Sequence, residues 1–399
     1  MQSIFRRRHS TSLMNGLSIF GRCFEADSMT NVTPSILDKV GRNLHLQKNH
    51  PIQIVNRKIQ EYFKENRASP FQIIDNISPL VTIQQNFDDL GFPPNHVARS
   101  QNDSYFINRE YLLRTHTTAN EKEILDKGVQ RFVLSGDVYR RDEIDDHHYP
   151  VFHQTEIVCC LDQSQLSNMP LNEFIPEDLQ SCHSPEMVSA AYANLKHEIR
   201  GLVQHLFGTC IQMRFIDAFF PYTQPSLEVE IFFNGKWMEV LGCGILQDSF
   251  LRTTNAKPDS IAWACGLGLE RLAMILFDIQ DIRLFWSRDP RFLDQFSDGS
   301  IKKFIPFSKH PPLYRDISFW TNESFSENSL FDIARSVSGD LIEKMEKIDE
   351  FIHPKSGRVS FCYRITFRSM ERPLSDDQVN PLQSSIRTRI EEELRVELR

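Results

Sequence analysis

The sequence predicts an α+β protein: an antiparallel sheet flanked by helices, followed by a smaller second unit. Three observations predict it. Residues 132–139 and 151–158 are rich in β-formers and flank a charged loop within GDVYRRDEIDDHHYPVFHQTE (136–156), which reads as strand, loop, strand. Asn234-Gly235 separates two further strand-like runs and is a two-residue hairpin signal. Beyond a polar stretch at 294–301, DQFSDGSI, read as a linker, the elements follow the order βαββαβ.

Bulk properties set the bounds. A chain of 399 residues with 40% apolar content can bury a core in each of two domains. It has no run of roughly eighteen apolar residues, so no membrane partner is expected. The eight cysteines lack CxxC spacing and read as reduced core thiols. A formal charge of −8 excludes a protein that coats nucleic acid through bulk electrostatics, so an RNA partner would have to meet local basic patches. Residues 1–24 carry Arg6, Arg7, Arg8 and Arg22 and no acidic residue, the composition of a mitochondrial import presequence. The first domain is then expected over 25–293 and the second over 302–399.

In chain order, Thr33-Pro34 opens a helix, and the stripe Ile36, Val40, Leu44, Leu46 carries it towards Pro51. A second helix is predicted over 52–63. Residues 81–94, VTIQQNFDDLGFPP, read as strand and turn. The run LLRTHTT (112–118) leads into a helix start at Ala119-Asn120-Glu121, where hydroxyls and backbone donors can position a carboxylate or a phosphate. Ser184 and Pro185 open a long helix over 186–207, stopped by Gly208. Strands are predicted over 211–215, 227–233 and 236–241, with Phe219, Phe220 and Tyr222 on a proline-stiffened loop between the first two. Gly266-Leu267-Gly268 reads as a turn into an apolar helix bearing Arg271. In the second unit the prediction is strand 316–320, helix 329–337, strands 341–348 and 358–367, helix 376–393 with Ser375 and Gln378 as a capping box, and a short last strand. This is the split unit of ferredoxin-like folds.

The chemistry concentrates around the first hairpin. Arg140 and Arg141 end its first strand, and on the second strand Phe152, Gln154 and Glu156 share one face. A guanidinium fork can take a phosphate, a Gln/Glu pair can hold an ammonium group, and a phenyl ring can stack on a flat base. Together these meet the needs of a site that joins an amino acid to ATP. His147, His148 and His153 also invite a zinc reading. Loop and strand directions differ, however, and no fourth ligand has suitable spacing, so no protein-held metal is assigned. Glu239 precedes Gly242 and Gly244, whose lack of side chains allows close approach of a ligand.

At this order and distance, GDVYRR with HQTE and the later GLGLERLAM resemble motifs 2 and 3 of the class II aminoacyl-tRNA synthetases. The wording is closest to phenylalanyl-tRNA synthetases of the mitochondrial, single-chain type, and the resemblance runs from about Gly41 to the C-terminus, through GRNLHLQKNHP, LYRDISFW and CYRITFR. It implies a class II catalytic sheet and a ferredoxin-like anticodon-binding domain. It implies that Arg140 holds the ATP α-phosphate, that Arg271 reaches the γ-phosphate, that His147, His148 and Tyr149 lie over the nucleotide, and that Phe152 stacks on adenine. Thr118, Ala119, Asn120 and Glu121 would border the phenylalanine site together with Gln154, Thr155 and Glu156. Phe220 and Tyr222 would wall the ring, Ala264 would lie at the bottom of its pocket, and Cys265 stands where relatives commonly carry an aromatic. Glu239 would act on the substrate or on ATP-bound Mg2+. Arg364, Arg368 and Arg372, beside Phe361, Tyr363 and Phe367, would meet anticodon bases. The implied function is a monomeric phenylalanine–tRNA ligase of the mitochondrial matrix, using ATP and Mg2+ on L-phenylalanine and tRNA(Phe). A class II-like ligase for another amino acid and a non-catalytic RNA-binding descendant are the alternatives.

Overall fold

The computed structural model describes residues 16–64, 70–167, 180–257, 259–306 and 310–399. A seven-stranded sheet orders its strands as Gln72–Ile74, Arg131–Tyr139, Val151–Leu161, Ile261–Gly268, Lys236–Leu246, Thr223–Phe233 and Met213–Phe220. Every neighbouring pair is antiparallel except the first, which is parallel. Leu134 pairs with Glu156, Gly136 with Gln154 and Val138 with Phe152. The two-residue period then sends Phe152, Gln154 and Glu156 to one face and His153, Thr155 and Ile157 to the other.

That second face carries the main core. Helices Pro51–Lys64, Pro185–Phe207 and Leu269–Phe277 pack there, bringing Ile59, Leu195, Ile199 and Leu272 against Ile157 and Trp263. Burying each such aliphatic side chain stabilises by about 1.5–3 kcal/mol. The long helix begins where the sequence indicates: Ser184 Oγ accepts from Met187 N at 3.3 Å, and Gly208 ends it at φ 91°.

The expected helix from Thr33 towards Pro51 is not continuous. Thr33 caps only the single turn Pro34–Leu37, and the chain then enters the left-handed region at Gly41 (φ 78°) and Asn43 (φ 47°) before a short turn at Leu44–Leu46. These reversals let Ile36 and Leu44 reach the core from separate turns. The glycine "turn" at 266–268 is also corrected, since both glycines lie within strand Ile261–Gly268. The aromatic loop likewise proves to be mostly strand, with a tight turn at Pro221-Tyr222.

Of the stretch expected as a presequence, residues 1–15 lie outside the described residues, and residues 16–24 are folded onto the first domain. Gly16–Ile19 and Arg22–Glu25 form a hairpin that buries Ile19 and Phe24 in the main core. Phe24 meets Tyr111 edge-on at 5.3 Å, with the Arg22 guanidinium 5.2 Å above its ring. A chain starting at Glu25 is expected to be less stable than one starting at Gly16 by about 2 kcal/mol, once the entropy of ordering the hairpin offsets part of the burial. Differential scanning calorimetry should show this as a melting temperature lower by several degrees.

The stretch read as a linker is anchored. Phe296 packs against Phe277 at 5.1 Å and Phe292 at 5.4 Å, and Arg57 donates to the Gly299 carbonyl at 2.9 Å. The second unit follows the predicted βαββαβ order: a four-stranded antiparallel sheet with helices Glu327–Ser338 and Asp376–Leu394 against one face. It also grips the loop of the 131–161 hairpin. Ile144 is buried in its apolar cluster, Met345 N donates to the Ile144 carbonyl at 2.9 Å, and Arg335 donates to the Asp142 and Glu143 carbonyls.

Candidate active site

The face of the large sheet opposite the main core carries the cleft, and missing side chains shape its floor. A Cβ on Gly242 would stand 2.8 Å from the Phe220 ring, and one on Gly266 would stand 3.2 Å from the Glu156 carboxylate. Glycine therefore lets an aromatic ring and a carboxylate lie flat on neighbouring strands. Phe220 stacks with Tyr222 at 6.1 Å, Tyr222 with His116 at 6.4 Å, and His116 with Phe92 at 5.6 Å. Ala264 lies on the same side, buried in the cluster of Val158, Cys160 and Leu246 that Tyr222 covers. The result is a flat aromatic wall beside a small-residue floor. Phe92 and His116 were missed as wall residues because their position depends on a turn that brings two separate loops together. The imidazole is neutral, since burial, aided by the Arg140 charge, pushes its pKa down to about 3.

Next to the wall is a knot of acid and hydroxyl groups. Glu156 Oε2 accepts from Thr117 Oγ1 at 3.2 Å and Thr118 Oγ1 at 3.1 Å, while Gln154 Oε1 accepts from Thr117 N at 3.3 Å. Glu121 is fully buried nearby, and neither of its carboxylate oxygens has a hydrogen-bond partner among the described residues. Burial pushes the Glu156 carboxyl up to about 7 despite the two hydroxyl bonds; burial and the Glu156 charge raise Glu121 well above the usual carboxylate range. At neutral pH the knot holds protons that an incoming cation would displace.

Arg140 stands exposed at the mouth. Its Nε donates to the Thr115 carbonyl at 2.8 Å and its guanidinium lies 5.3 Å from the Phe152 ring centroid, which fixes the plane of the fork. Its terminal nitrogens have no hydrogen-bond partner among the described residues. Across the floor, exposed Arg271 makes a 3.4 Å contact with exposed Glu239. Two cations thus face one groove, and both can turn to a polyanion at little cost.

Behind them is a residue to which sequence reasoning gave no role. Arg114 is fully buried, and its Nη1 donates to Asn120 Oδ1 at 2.8 Å, its Nε to the Asp137 carbonyl at 2.7 Å and its Nη2 to Asp137 Oδ1 at 3.0 Å. Gly136 makes room for it, since a Cβ there would lie 2.0 Å from Nη2. RTH followed later by SGD was the available signal: a strand-borne arginine and an acid beside a glycine.

Several expected site residues lie elsewhere. Ala119 is buried in the cluster of Val81 and Phe87 that Phe92 covers, and Asn120 is occupied by Arg114. Thr155 bonds Ser135 at 3.0 Å on the core face, and Cys265 is buried in the main core, because odd positions of these strands face the helices. Cys265 therefore cannot wall the pocket. Tyr149 is buried against Trp286 and donates to Asp340 Oδ1 at 2.6 Å, while His148 bonds Asp145 Oδ2 at 2.8 Å and lines the same crevice between the two units. Only exposed His147 remains at the loop surface.

In the second unit, Tyr363 and Phe367 face the helices and are buried, so they cannot stack on bases. Arg364 forks onto Asp316 at 2.9 and 2.8 Å, and Arg368 pairs with Glu343 at 2.8 Å beside Arg283. Arg372 is exposed. The open sheet face instead gathers Trp320 and Phe351, with Arg358 4.8 Å from the Trp320 ring and Arg399 5.0 Å from that of Phe351. The cysteines also divide: Cys159, Cys160, Cys243 and Cys265 are buried, whereas Cys23, Cys182 and Cys210 are exposed.

A mostly antiparallel sheet carrying two arginines, an acid-and-hydroxyl knot and an aromatic wall, joined to a ferredoxin-like unit, defines a class of protein. Residues 36–177 and 187–296 match the family model of the tRNA synthetase class II core domain (F), and residues 308–399 match the ferredoxin-fold anticodon binding domain. The chloroplastic/mitochondrial phenylalanine–tRNA ligase of Arabidopsis thaliana is 47% identical, covering 94% of this chain and 84% of its own length. The mitochondrial phenylalanine–tRNA ligase of Mus musculus is 45% identical (93% and 86% covered), and that of Saccharomyces cerevisiae 39% (98% and 97%). The chain belongs to the single-chain phenylalanyl-tRNA ligases of class II.

Proposed function

We propose that the protein activates L-phenylalanine with ATP in the mitochondrial matrix and transfers it, as a monomer, to the 3′ end of tRNA(Phe). The observation that carries this reading is the shared face on which Arg140, Phe152, Gln154 and Glu156 sit within reach of the Phe220–Tyr222 wall. The amino acid's ring lies along that wall above Ala264, where shape and edge contacts favour an aromatic side chain. Its ammonium group meets Gln154 and Glu156, with Thr117 and Thr118 steering the Glu156 carboxylate. Adenine stacks on Phe152. The amino-acid carboxylate attacks the α-phosphorus in line, pyrophosphate leaves, and Arg140 stabilises charge on the phosphoryl oxygens while Arg271 holds the departing end. No side chain acts as nucleophile. The ribose hydroxyl of tRNA then takes the acyl group and AMP departs.

Mg2+ accompanies ATP in this reading, and the acidic side chains beside Arg271 suit it. Burial and the neighbouring Glu239 and Glu230 charges raise the pKa of Glu228, so Glu228 and Glu239 form a pair that a divalent cation would relieve. When bound, the ion neutralises phosphate charge; Glu239 would turn to it from its loose contact with Arg271. For the RNA, exposed Arg372 and the face with Trp320, Phe351, Arg358 and Arg399 offer stacking and charge, and Arg364 can leave Asp316 for a phosphate.

The Glu156 carboxyl sets a pH dependence. Its raised pKa means the unliganded pocket is favoured by protonation below the ordinary value of 4.5, and that contribution is lost as pH rises through about 7. Binding an ammonium requires the opposite state. The KM for phenylalanine should therefore fall as pH rises through about 7, by up to about tenfold per pH unit below it, and Glu156→Gln should flatten the profile. A flat wild-type profile would remove Glu156 from ammonium binding. The reading as a whole is tested by charging tRNA(Phe) transcript with labelled phenylalanine: acid-precipitable product is expected with this tRNA and not with a tyrosine tRNA.

A further inference from the structure

Away from the cleft, Cys182, His183 and Asp248 place a thiol, an imidazole nitrogen and a carboxylate oxygen within 4.8 Å of one another. Cys182-His183 lie just ahead of Ser184, the cap of the long helix, and Asp248 begins the short helix Asp248–Leu251 directly after the strand carrying Gly242 and Gly244. His183 Nε2 lies 3.7 Å from Asp248 Oδ1, and the His183 side chain is 3% exposed. That nitrogen has no hydrogen-bond partner among the described residues, although it is buried and points into the cluster. Arg252 holds Asp248 Oδ1 at 2.8 Å from the outer side.

We infer that Cys182, His183 and Asp248 form a binding site for a single zinc-class divalent cation. Three donors of sulfur, nitrogen and oxygen type suit such an ion, and a tetrahedral shell sets its donors roughly 3.3–3.8 Å apart, which the His183–Asp248 separation matches. A buried imidazole nitrogen without a partner is costly, and a cation satisfies it directly. On binding, the metal–sulfur bond replaces the thiol S–H bond and the proton leaves to solvent; water fills the fourth position. Arg252 holds the same Asp248 Oδ1 that faces His183, so a bound cation shares that oxygen with the guanidinium or takes Oδ2.

The position suggests what the ion does. Gln180 Nε2 already donates to the Gln224 carbonyl at 2.8 Å and the Leu246 carbonyl at 3.0 Å, and its Oε1 accepts from Asp248 N at 2.7 Å. A cation next to this clamp fastens the start of the long helix to the end of the Gly242–Gly244 strand, close to the turn bearing Phe220 and Tyr222. Its role is structural, so it does not depend on which amino acid the cleft selects.

The test is titration of chelator-treated full-length protein with Co2+. One equivalent should bind with a near-ultraviolet sulfur-to-cobalt charge-transfer band and the strong visible absorption of four-coordinate cobalt. Zn2+ should displace it and raise the melting temperature. Cys182→Ser, a change at an exposed position, should abolish the charge-transfer band and the zinc-induced stabilisation while leaving the circular dichroism unchanged. His183→Gln should weaken uptake at least tenfold. Absence of stoichiometric uptake, or a charge-transfer band that persists in Cys182→Ser, would overturn the site.

Discussion

Arg140→Ala should lower the kcat of phenylalanine-dependent ATP–pyrophosphate exchange by about 10²–10³-fold, the usual loss when one preorganised donor to a developing oxyanion is removed. The side chain is solvent-exposed at the cleft mouth, so folding stability should change by no more than about 0.5 kcal/mol. The loss belongs to the transition state. The Thr115 carbonyl and the Phe152 ring fix the guanidinium plane before substrate arrives, so charge on the phosphoryl oxygens meets a donor that need not reorganise. Arg140→Lys should recover only part of the rate, because an ammonium keeps the charge but not the planar fork. A loss confined to the KM for ATP would make Arg140 a binding residue only.

Arg114→Met should destabilise the fold by about 3–5 kcal/mol, since it leaves buried Asp137 without its counter-ion. The pair is 0% and 2% exposed, and methionine restores the volume but none of the three bonds. Burial by itself would raise the Asp137 pKa; the Arg114 charge and the Tyr139 hydroxyl more than reverse that and hold it below the ordinary value of 3.8. The stabilisation is therefore present above that value and lost as pH falls through the depressed one. Urea unfolding should show the deficit near neutral pH and a smaller difference between wild type and variant in acid. Asp137→Asn in the same background should cost much less than it does in wild type, because the two residues are coupled.

Those two residues also mark how far the sequence could be read. Hairpin 131–161, the long helix and the whole βαββαβ unit were legible because each rests on a local rule: strand alternation, a Ser-Pro cap with a glycine stop, and a capping box at Ser375. Arg140, Gln154 and Glu156 were legible for the same reason, since spacing on one strand fixes their common face. The faces of Thr155 and Cys265 follow from the same period, yet the family comparison by position ignored it, and both side chains point into the core. Tyr149 and His148 were placed over the nucleotide because loop direction is not a local property; the second unit captures that loop through Ile144. The N-terminal hairpin was hidden by composition, as arginines and serines suit an import leader and an edge hairpin alike. Arg114 was hidden because a lone arginine in an apolar run gives no sign of a buried partner 23 residues on.

The measurement closest to the central claim is ATP–pyrophosphate exchange by the chain beginning at Gly16, assayed with phenylalanine, tyrosine and leucine in parallel. Exchange that depends on phenylalanine, is weaker with tyrosine, is absent with leucine and falls away in Arg140→Ala is the predicted result. Exchange driven by leucine better than by phenylalanine would reassign the pocket to another amino acid. No exchange with any amino acid from folded protein would contradict the ligase reading and leave an RNA-binding descendant of the family in its place.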